Sequence, residues 1–123
     1  LMLNLDGYVA EATGDNIFVV DRGTLITPPP YVGLLEGITR NAVIELARRE
    51  SIPFEERVFT LVTVYGAEEI FLTGTGAEVI PVTRVDDRVI GAGVPGPITR
   101  RLIEAFRALV HSEGAEIGLE AAA

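Results

Sequence analysis

The sequence contains no lysine and no cysteine, and it contains a single histidine, His111. Without cysteine the chain can form neither a disulfide nor a thiolate site, and one histidine cannot by itself build a histidine metal cluster. All ten basic residues are arginine, so a reaction that depends on a lysine amine has no residue in this chain to perform it. We therefore predict no metal site, and we interpret His111 as a solvated residue near a helix end.

Positive charge is also scarce. The chain carries 18 acidic and 10 basic residues, for a net charge of −8. Nucleic acids and anionic membrane surfaces require a basic face, so we expect neither as a partner and favour a small molecule or a protein. No apolar run approaches the length of a membrane span, and the first residues lack the basic end and cleavage site of a signal peptide. A cytoplasmic location is the resulting expectation.

The length and composition fit a single domain, because 123 residues of which 48% are hydrophobic are enough to bury a core. The first six residues read as the end of a strand that began earlier, so we expect the chain to be a piece of a longer protein. We predict one domain over residues 1–112. Residues 113–123 read as a tail that is disordered or not native.

Strand and helix signals alternate along the chain. Alternating and β-branched runs predict strands at 8–12, 17–21, 24–27, 54–59, 69–73 and 77–82, and a hairpin over 83–90. We expect the strands before residue 28 to form a β-meander, and the segment from Pro28 to residue 34 to be an extended, rigid connection. Helices are predicted over 37–50 and 60–66 and from Pro97 to about His111. The predicted fold class is α/β, or α+β.

The helix behind Gly37 is the most informative element. Its apolar positions 42, 43, 46 and 47 share one face, with Ile38 at the edge, which predicts an amphipathic helix packed on a core. The backbone N–H groups of Gly37, Ile38 and Thr39 are unpaired in the first turn, and the Thr39 hydroxyl lies beside them. With the helix dipole they favour binding of a phosphate. An ordinary glycine turn before a helix is the alternative.

Two further stretches indicate related chemistry. Gly74, Thr75 and Gly76 lie between two predicted strands and form a second group of backbone N–H donors suited to an anion. Glu11 offers a carboxylate on a strand before a Gly-Asp-Asn turn. Together these features predict a pocket for a phosphorylated ligand whose far end carries a basic group facing Glu11. Ordinary turns and a surface acid are the alternative.

Five stretches follow one another in a recognisable order: EATGDNIF at 11–18, TPP at 27–29, LEGITR at 35–40, FLTGTGAE at 71–78 and GPIT at 96–99. They resemble the C-terminal domain of the fold-type IV aminotransferases that use pyridoxal 5′-phosphate, and most closely the branched-chain amino acid aminotransferases. The resemblance implies the D-amino acid aminotransferase-like fold, a mixed β-sheet or pseudo-barrel with flanking helices. It also implies transfer of an amino group between leucine, isoleucine or valine and 2-oxoglutarate, as in branched-chain amino acid biosynthesis.

The resemblance implies roles for the residues of the first two features. Glu11 is similar to the carboxylate that hydrogen-bonds the pyridine nitrogen of the cofactor and keeps it protonated. Gly37, Ile38 and Thr39 are similar to the residues that bind the cofactor phosphate at the helix N-terminus. These residues bind and orient, and none of them transfers a proton.

The remaining implied roles fall on the second glycine turn. By resemblance, Gly74 and Thr75 complete the phosphate site, while Thr75, Gly76 and Ala77 receive the substrate carboxylate. The family's Schiff-base lysine lies upstream of the glutamate, and this chain has no lysine at all. We therefore predict no catalytic residue in this chain and no activity of the chain alone.

The resemblance further implies a missing N-terminal domain and a homodimer. D-amino acid aminotransferase and aminodeoxychorismate lyase share the same fold and the same features, so the substrate class stays open at this point. A non-catalytic module that binds a phosphate ligand or cofactor is a third interpretation. A purely structural dimerisation domain is the fourth.

Overall fold

The computed structural model describes residues 1–4, 6–12, 15–74 and 78–116. Its strands and helices are, in order, β1 Met2–Leu3, β2 Val9–Glu11, β3 Asn16–Asp21, β4 Thr24–Thr27, α1 Ile38–Arg49, β5 Phe54–Glu56, α2 Leu61–Tyr65, β6 Glu69–Gly74, β7 Glu78–Val82, β8 Arg84–Val85, β9 Arg88–Val89 and α3 Pro97–Glu116. A short 3-10 turn, Pro30–Val32, lies between β4 and α1. None of the helices in these residues is long and apolar enough to cross a membrane.

A mixed sheet of five strands forms the centre of the fold, in the order β5-β4-β3-β6-β7. β4 and β5 run parallel, and the other neighbours are antiparallel. The central strand β3 is buried on both faces, which explains why residues 17–20 are apolar without alternation. Phe18 and Phe71 lie opposite each other in β3 and β6, and their rings stack with 4.8 Å between centroids. A mixed sheet with flanking helices confirms the predicted fold class.

Each face of the sheet is covered by other elements. Helices α1 and α3 pack on one face, where Val43, Ala47 and Leu102 contribute to a buried core. The opposite face packs against the β1–β2 hairpin, α2 and the segment with β8 and β9, through residues such as Val9 and Val64. The sheet is therefore the middle layer of three, and the ends of its strands are where a pocket can open.

The predicted β-meander before residue 28 is wrong in one respect. β3 and β4 form the expected hairpin, but β1 and β2 form a two-stranded sheet of their own. The N–H of Val9 in β2 donates to the carbonyl of Phe59 at 2.8 Å. This strand therefore bonds to the segment before α2 and does not extend the sheet beside β3. Among the described residues between β2 and β3, one bridge pairs Ala12 with Asp15.

Two other local predictions are corrected. The connection after Pro28, predicted to be extended throughout, contains the 3-10 turn at Pro30–Val32. A helical turn can begin at a proline because the N–H of its first residue would have no partner within the turn. The strand predicted over 54–59 ends at Glu56. Its parallel partner β4 ends at Thr27, and Pro28 cannot donate to a ladder, so pairing stops there.

The C-terminal helix is longer than the sequence pattern predicted. α3 continues to Glu116, so residues 113–116, which we predicted to belong to a tail, continue the helix. Glutamate and alanine after His111 are good helix formers, which favours this extension. Residues 117–123 lie outside the described residues, and the division at residue 112 stays a prediction.

Candidate functional site

A cavity of about 280 Å³ opens where β2, β3 and β6 meet the start of α1. Five of the six residues predicted to bind a cofactor line it: Glu11, Gly37, Ile38, Thr39 and Gly74. The sixth, Thr75, lies outside the described residues, as do Gly76 and Ala77, so the predicted substrate carboxylate site stays a prediction. Residues separated by up to 63 positions in sequence are thus brought to one place by the fold.

The sheet register explains this convergence. β3 and β6 are antiparallel, and Asn16 at the start of β3 lies opposite Thr73 near the end of β6. The start of one strand and the end of the other therefore lie at the same edge of the sheet. Glu11 ends β2, immediately before the turn into β3. The first turn of α1 reaches the same edge, where the Thr39 hydroxyl donates to the carbonyl of Gly74 at 3.4 Å.

The N-terminus of α1 presents unpaired backbone donors to the cavity. Gly37 is the N-cap, and its backbone is extended, with φ −82° and ψ 152°. Within the described part of the chain, the N–H groups of Ile38 and Thr39 have no hydrogen-bond acceptor. These groups, together with the positive end of the helix dipole, suit an anion. The prediction of three unpaired donors is wrong for Gly37, whose N–H donates to Oδ1 of Asn16 at 3.1 Å. The anion site stays a prediction that rests on Ile38 and Thr39.

Glu11 is one of two carboxylate residues that line the cavity in the described structure, the other being Asp15. The side chain of Glu11 is half-buried, and its Oε2 accepts a hydrogen bond from the N–H of Leu35 at 3.3 Å. Among the described residues no donor contacts its other oxygen, Oε1. A carboxylate oxygen without a donor can accept a hydrogen bond from a cationic N–H group of a ligand. The cavity thus brings the Glu11 carboxylate and the N-terminus of α1 together, and their roles in binding a ligand stay predictions.

Arg40 is a site residue that the sequence reasoning did not single out. Its side chain is 1% exposed although it is charged. One terminal nitrogen donates to Glu56 Oε2 at 2.6 Å and to the carbonyl of Pro28 at 3.1 Å, while the other contacts Asn41 and Glu36. Because these carboxylates compensate its charge, Arg40 anchors the first turn of α1 to β5 rather than adding a bare charge to the cavity. Its place in the LEGITR stretch was the only signal.

Asn16 was also missed as a site residue, although it belongs to the EATGDNIF stretch. It is 5% exposed, and both polar atoms of its side chain bond to the backbone before α1. Its Nδ2 donates to the carbonyl of Leu35 at 2.9 Å, and its Oδ1 accepts from the N–H of Gly37 at 3.1 Å. Asn16 therefore joins the start of β3 to the segment that leads into the helix.

The face of α1 differs from the prediction at its first residue. Ile38, expected at the edge of the apolar face, is 87% exposed, whereas Ile44 is buried. The first turn of α1 lies at the edge of the sheet, so nothing in the described structure lies beneath Ile38. Leu35, which also lines the cavity, is strongly exposed as well. An apolar surface therefore borders the cavity.

The match with known proteins decides the family. The model of the family described as amino-transferase class IV matches residues 1–85. This chain belongs to the class IV amino-transferases. The resemblance stated from the five sequence stretches is thereby confirmed.

Individual class IV relatives agree with this assignment. A probable branched-chain-amino-acid aminotransferase of Aquifex aeolicus is 51% identical over 107 residues, which cover 86% of this chain and 34% of that protein. The crystal structure of a branched-chain aminotransferase from Thermoproteus uzoniensis with norvaline matches at 44% identity with a TM-score of 0.86, covering 97% of this chain and 39% of that one. A T.th. branched-chain amino acid aminotransferase complexed with N-(5′-phosphopyridoxyl)-L-glutamate matches at 40% identity with a TM-score of 0.87, covering 91% and 37%.

The chain spans about a third of the length of the curated relatives it matches. The matching region is the C-terminal part of those proteins. The similarity to the solved structures confirms the fold-type IV architecture. Two thirds of each relative thus lie beyond the region compared.

Proposed function

We propose that this chain is the cofactor-binding C-terminal part of a branched-chain amino acid aminotransferase that uses pyridoxal 5′-phosphate. One observation carries the proposal: the Glu11 carboxylate and the unpaired N-terminal amides of α1 open onto the same cavity. A ligand with a basic ring nitrogen at one end and a phosphate at the other matches this pair of charges. The relatives named above support the same cofactor, since one of them is complexed with a phosphopyridoxyl compound.

The residues present fit this cofactor. The amides of Ile38 and Thr39, without an acceptor in the described structure, are the donors that a phosphate requires. The buried hydroxyl of Thr73, on the cavity wall, likewise has no hydrogen-bond partner among the described residues. The cavity volume of about 280 Å³ is near the lower end of the range for small-molecule sites. Polar groups without partners in a small cavity are typical of a ligand site.

Each residue has a defined part in this proposal. Glu11 accepts a hydrogen bond from the ring nitrogen and holds a proton there. The N–H groups of Ile38 and Thr39 bind the phosphate at the positive end of the helix dipole, and Gly37, whose N–H is bonded to Asn16, lines the same end of the cavity. When bound, the cofactor supplies an electron-withdrawing ring that weakens the bonds of the substrate α-carbon. The proton held by Glu11 maintains that electron demand.

The stretch from Gly74 to Ala77 completes the proposed site. Gly74, whose carbonyl accepts from the Thr39 hydroxyl, leads directly into Thr75. We assign Gly74 and Thr75 to the phosphate, and Thr75, Gly76 and Ala77 to the substrate carboxylate. The support for this assignment is that Gly74 lines the cavity and that the family resemblance gives the turn these roles.

The proposed reaction moves an amino group between leucine, isoleucine or valine and 2-oxoglutarate. The chain contains no lysine, so the covalent attachment of the cofactor and the proton shuttle belong to another part of the protein. The chain alone is therefore expected to be inactive. An N-terminal domain and a homodimer complete this proposal, and the exposed Leu35 and Ile38 at the cavity support such a covered surface.

The absence of lysine also favours a second candidate, a non-catalytic module that binds a phosphate ligand. Both candidates predict ligand binding, but only the first predicts amino transfer by the complete protein. An assay of the complete protein with leucine and 2-oxoglutarate separates them. Reaction with D-alanine instead of leucine would replace the branched-chain assignment with the D-amino acid aminotransferase activity of the same fold.

Cofactor binding can be tested with pyridoxamine 5′-phosphate, which requires no lysine. We expect it to bind more tightly than either pyridoxamine or inorganic phosphate in calorimetric titrations, because it contacts both ends of the cavity. Glu11→Gln should weaken binding by about 10- to 100-fold, the loss expected for a charged hydrogen bond. The matched control is Glu45→Gln on the exposed face of α1. Equal affinities of all three probes for the native protein would contradict the proposal.

A further inference from the structure

We propose that Asn16 is a positioning residue that fixes the separation between the carboxylate and the helix end of this site. The inference rests on the proposed function and extends it to Asn16, which lines the cavity and whose side chain bonds to the backbone. Both polar atoms of the Asn16 side chain are occupied by backbone groups, the carbonyl of Leu35 and the N–H of Gly37. The side chain therefore acts through the segment 35–37.

The position of Asn16 makes it a rigid attachment point. It begins β3, the central strand of the sheet, and its backbone lies opposite Thr73 in β6. Its side chain is 5% exposed, so its two hydrogen bonds are shielded from competing water. A buried amide that satisfies a carbonyl and an N–H two residues apart holds the intervening backbone in one conformation. The segment 35–37 is in this way tied to the most buried strand of the fold.

Gly37 supports the same interpretation through its missing side chain. Its backbone angles, φ −82° and ψ 152°, are extended and open to any residue, so conformation does not require glycine here. A Cβ at this position would lie 2.7 Å from Oδ1 of Asn16. Because Asn16 is buried and bonded at both ends, its side chain cannot move away without losing those bonds. Gly37 is thus the residue that makes room for Asn16.

The segment 35–37 connects the two ends of the proposed ligand site. On one side of it, the N–H of Leu35 donates to Glu11 Oε2 at 3.3 Å. On the other side, Gly37 is followed directly by the amides of Ile38 and Thr39. Asn16 lies five residues after Glu11 in the same β2–β3 segment. Its two bonds therefore set where the first turn of α1 stands relative to the Glu11 carboxylate.

A positioning role predicts a specific pattern of affinities. In the complete protein, Asn16→Ala should lower the affinity for pyridoxamine 5′-phosphate by about tenfold or more, because a ligand that contacts both ends depends on their separation. The affinities for inorganic phosphate and for pyridoxamine should each change by less than about threefold, since each contacts one end. A purely structural role would lower thermal stability without changing the ratio of the affinity for pyridoxamine 5′-phosphate to the affinities for the two smaller probes.

Two further variants keep the test decisive. Glu69→Gln, at the opposite end of β6, removes a buried charge far from the cavity and should leave the affinity for all three probes unchanged. Gly37→Ala should reduce pyridoxamine 5′-phosphate affinity in the native background. It should have a smaller effect in the Asn16→Ala background, where the methyl group has space. Additive effects of the two substitutions would overturn the proposed contact.

The outcomes distinguish this inference from the function on which it rests. If the native protein binds pyridoxamine 5′-phosphate no better than inorganic phosphate, the proposed function fails. If it binds pyridoxamine 5′-phosphate tightly but Asn16→Ala binds equally well, the positioning role fails and the proposed function stands. If Asn16→Ala weakens all three probes equally, Asn16 supports the fold of the site without setting its dimensions, and the inference is likewise overturned.

Discussion

Replacing Arg40 with alanine tests whether the first turn of α1 is anchored by a buried guanidinium. Arg40 is 1% exposed, and one of its terminal nitrogens bonds to both Glu56 Oε2 and the carbonyl of Pro28. These contacts connect α1 to β5 and to the segment that follows β4. The substitution removes the charge, the hydrogen bonds and the aliphatic part of the side chain together.

The expected loss follows from the surroundings of each group. Burying the three methylenes of Arg40 contributes about 2 kcal/mol, and leaving the carbonyl of Pro28 without its donor costs about 1–3 kcal/mol. Glu56 contributes less, because its side chain is 39% exposed and regains water when the partner is lost. We therefore expect Arg40→Ala to lower the free energy of unfolding by about 3–5 kcal/mol. A loss of this size is a large fraction of the stability of a small domain, about 5–15 kcal/mol.

Urea unfolding, followed by circular dichroism, measures this loss. Arg40→Met keeps the aliphatic stem and should cost about 2 kcal/mol less than Arg40→Ala, which separates packing from polar contacts. The control is Arg48→Ala, since Arg48 is 63% exposed and pairs only loosely with Glu45 at 3.7 Å; it should change stability by less than about 0.5 kcal/mol. A loss below about 1 kcal/mol for Arg40→Ala would refute the anchoring role.

Three other predictions concern bonds outside the cavity. Glu69 accepts hydrogen bonds from two N–H groups in the first turn of α3 and from the Thr99 hydroxyl. Glu69→Gln should therefore lower the free energy of unfolding by about 1–3 kcal/mol in the same assay, because the new amide N–H would face backbone donors. Thr27→Val should lower the free energy of unfolding by about 1–2 kcal/mol, since the buried Thr27 hydroxyl donates a hydrogen bond to a carbonyl of β3 at 2.7 Å. The hydrogen bond that the Tyr65 hydroxyl donates to Asp86 raises the pKa of the Tyr65 phenol. The stability that this bond contributes is therefore present below the ordinary tyrosine pKa. It is lost as the pH rises through the raised pKa of the folded protein. Ultraviolet titration should show Tyr65 ionising at lower pH in Asp86→Asn, and an unchanged titration would contradict this.

Local sequence signals were sufficient where a single segment determines the outcome. The helix behind Gly37 follows from a 3.6-residue apolar pattern, and the hairpin between β3 and β4 follows from two apolar runs around Arg22 and Gly23. Both central residues of that turn have positive φ, as a tight hairpin requires. Such features depend on neighbours in the sequence, so they can be predicted without the fold.

Prediction failed where distant segments compete for the same hydrogen bonds. β2 was expected to continue a meander, but Val9 bonds to Phe59, a residue 50 positions away. Ile38 has the apolar character of a core residue, yet it lies past the edge of the sheet and is exposed. Nothing in the local pattern reports where the sheet ends.

The composition of the site and the chemistry that it lacks follow from the amino-acid sequence alone. A carboxylate at Glu11, a glycine followed by Ile38 and Thr39, and the complete absence of lysine are properties of the chain that no packing can alter. These properties, with the family resemblance, were enough to predict the cofactor class and the expected inactivity of the chain alone.

The way in which these parts are held together depends on the whole fold. The antiparallel register of β3 and β6 places Asn16 beside the segment before α1, and the parallel pairing of β4 and β5 places Glu56 beside Arg40. Buried polar groups must find partners, and those partners come from whichever strands the sheet brings near. The physical reason is that burial and register are properties of the whole fold, whereas a sequence pattern describes one segment at a time.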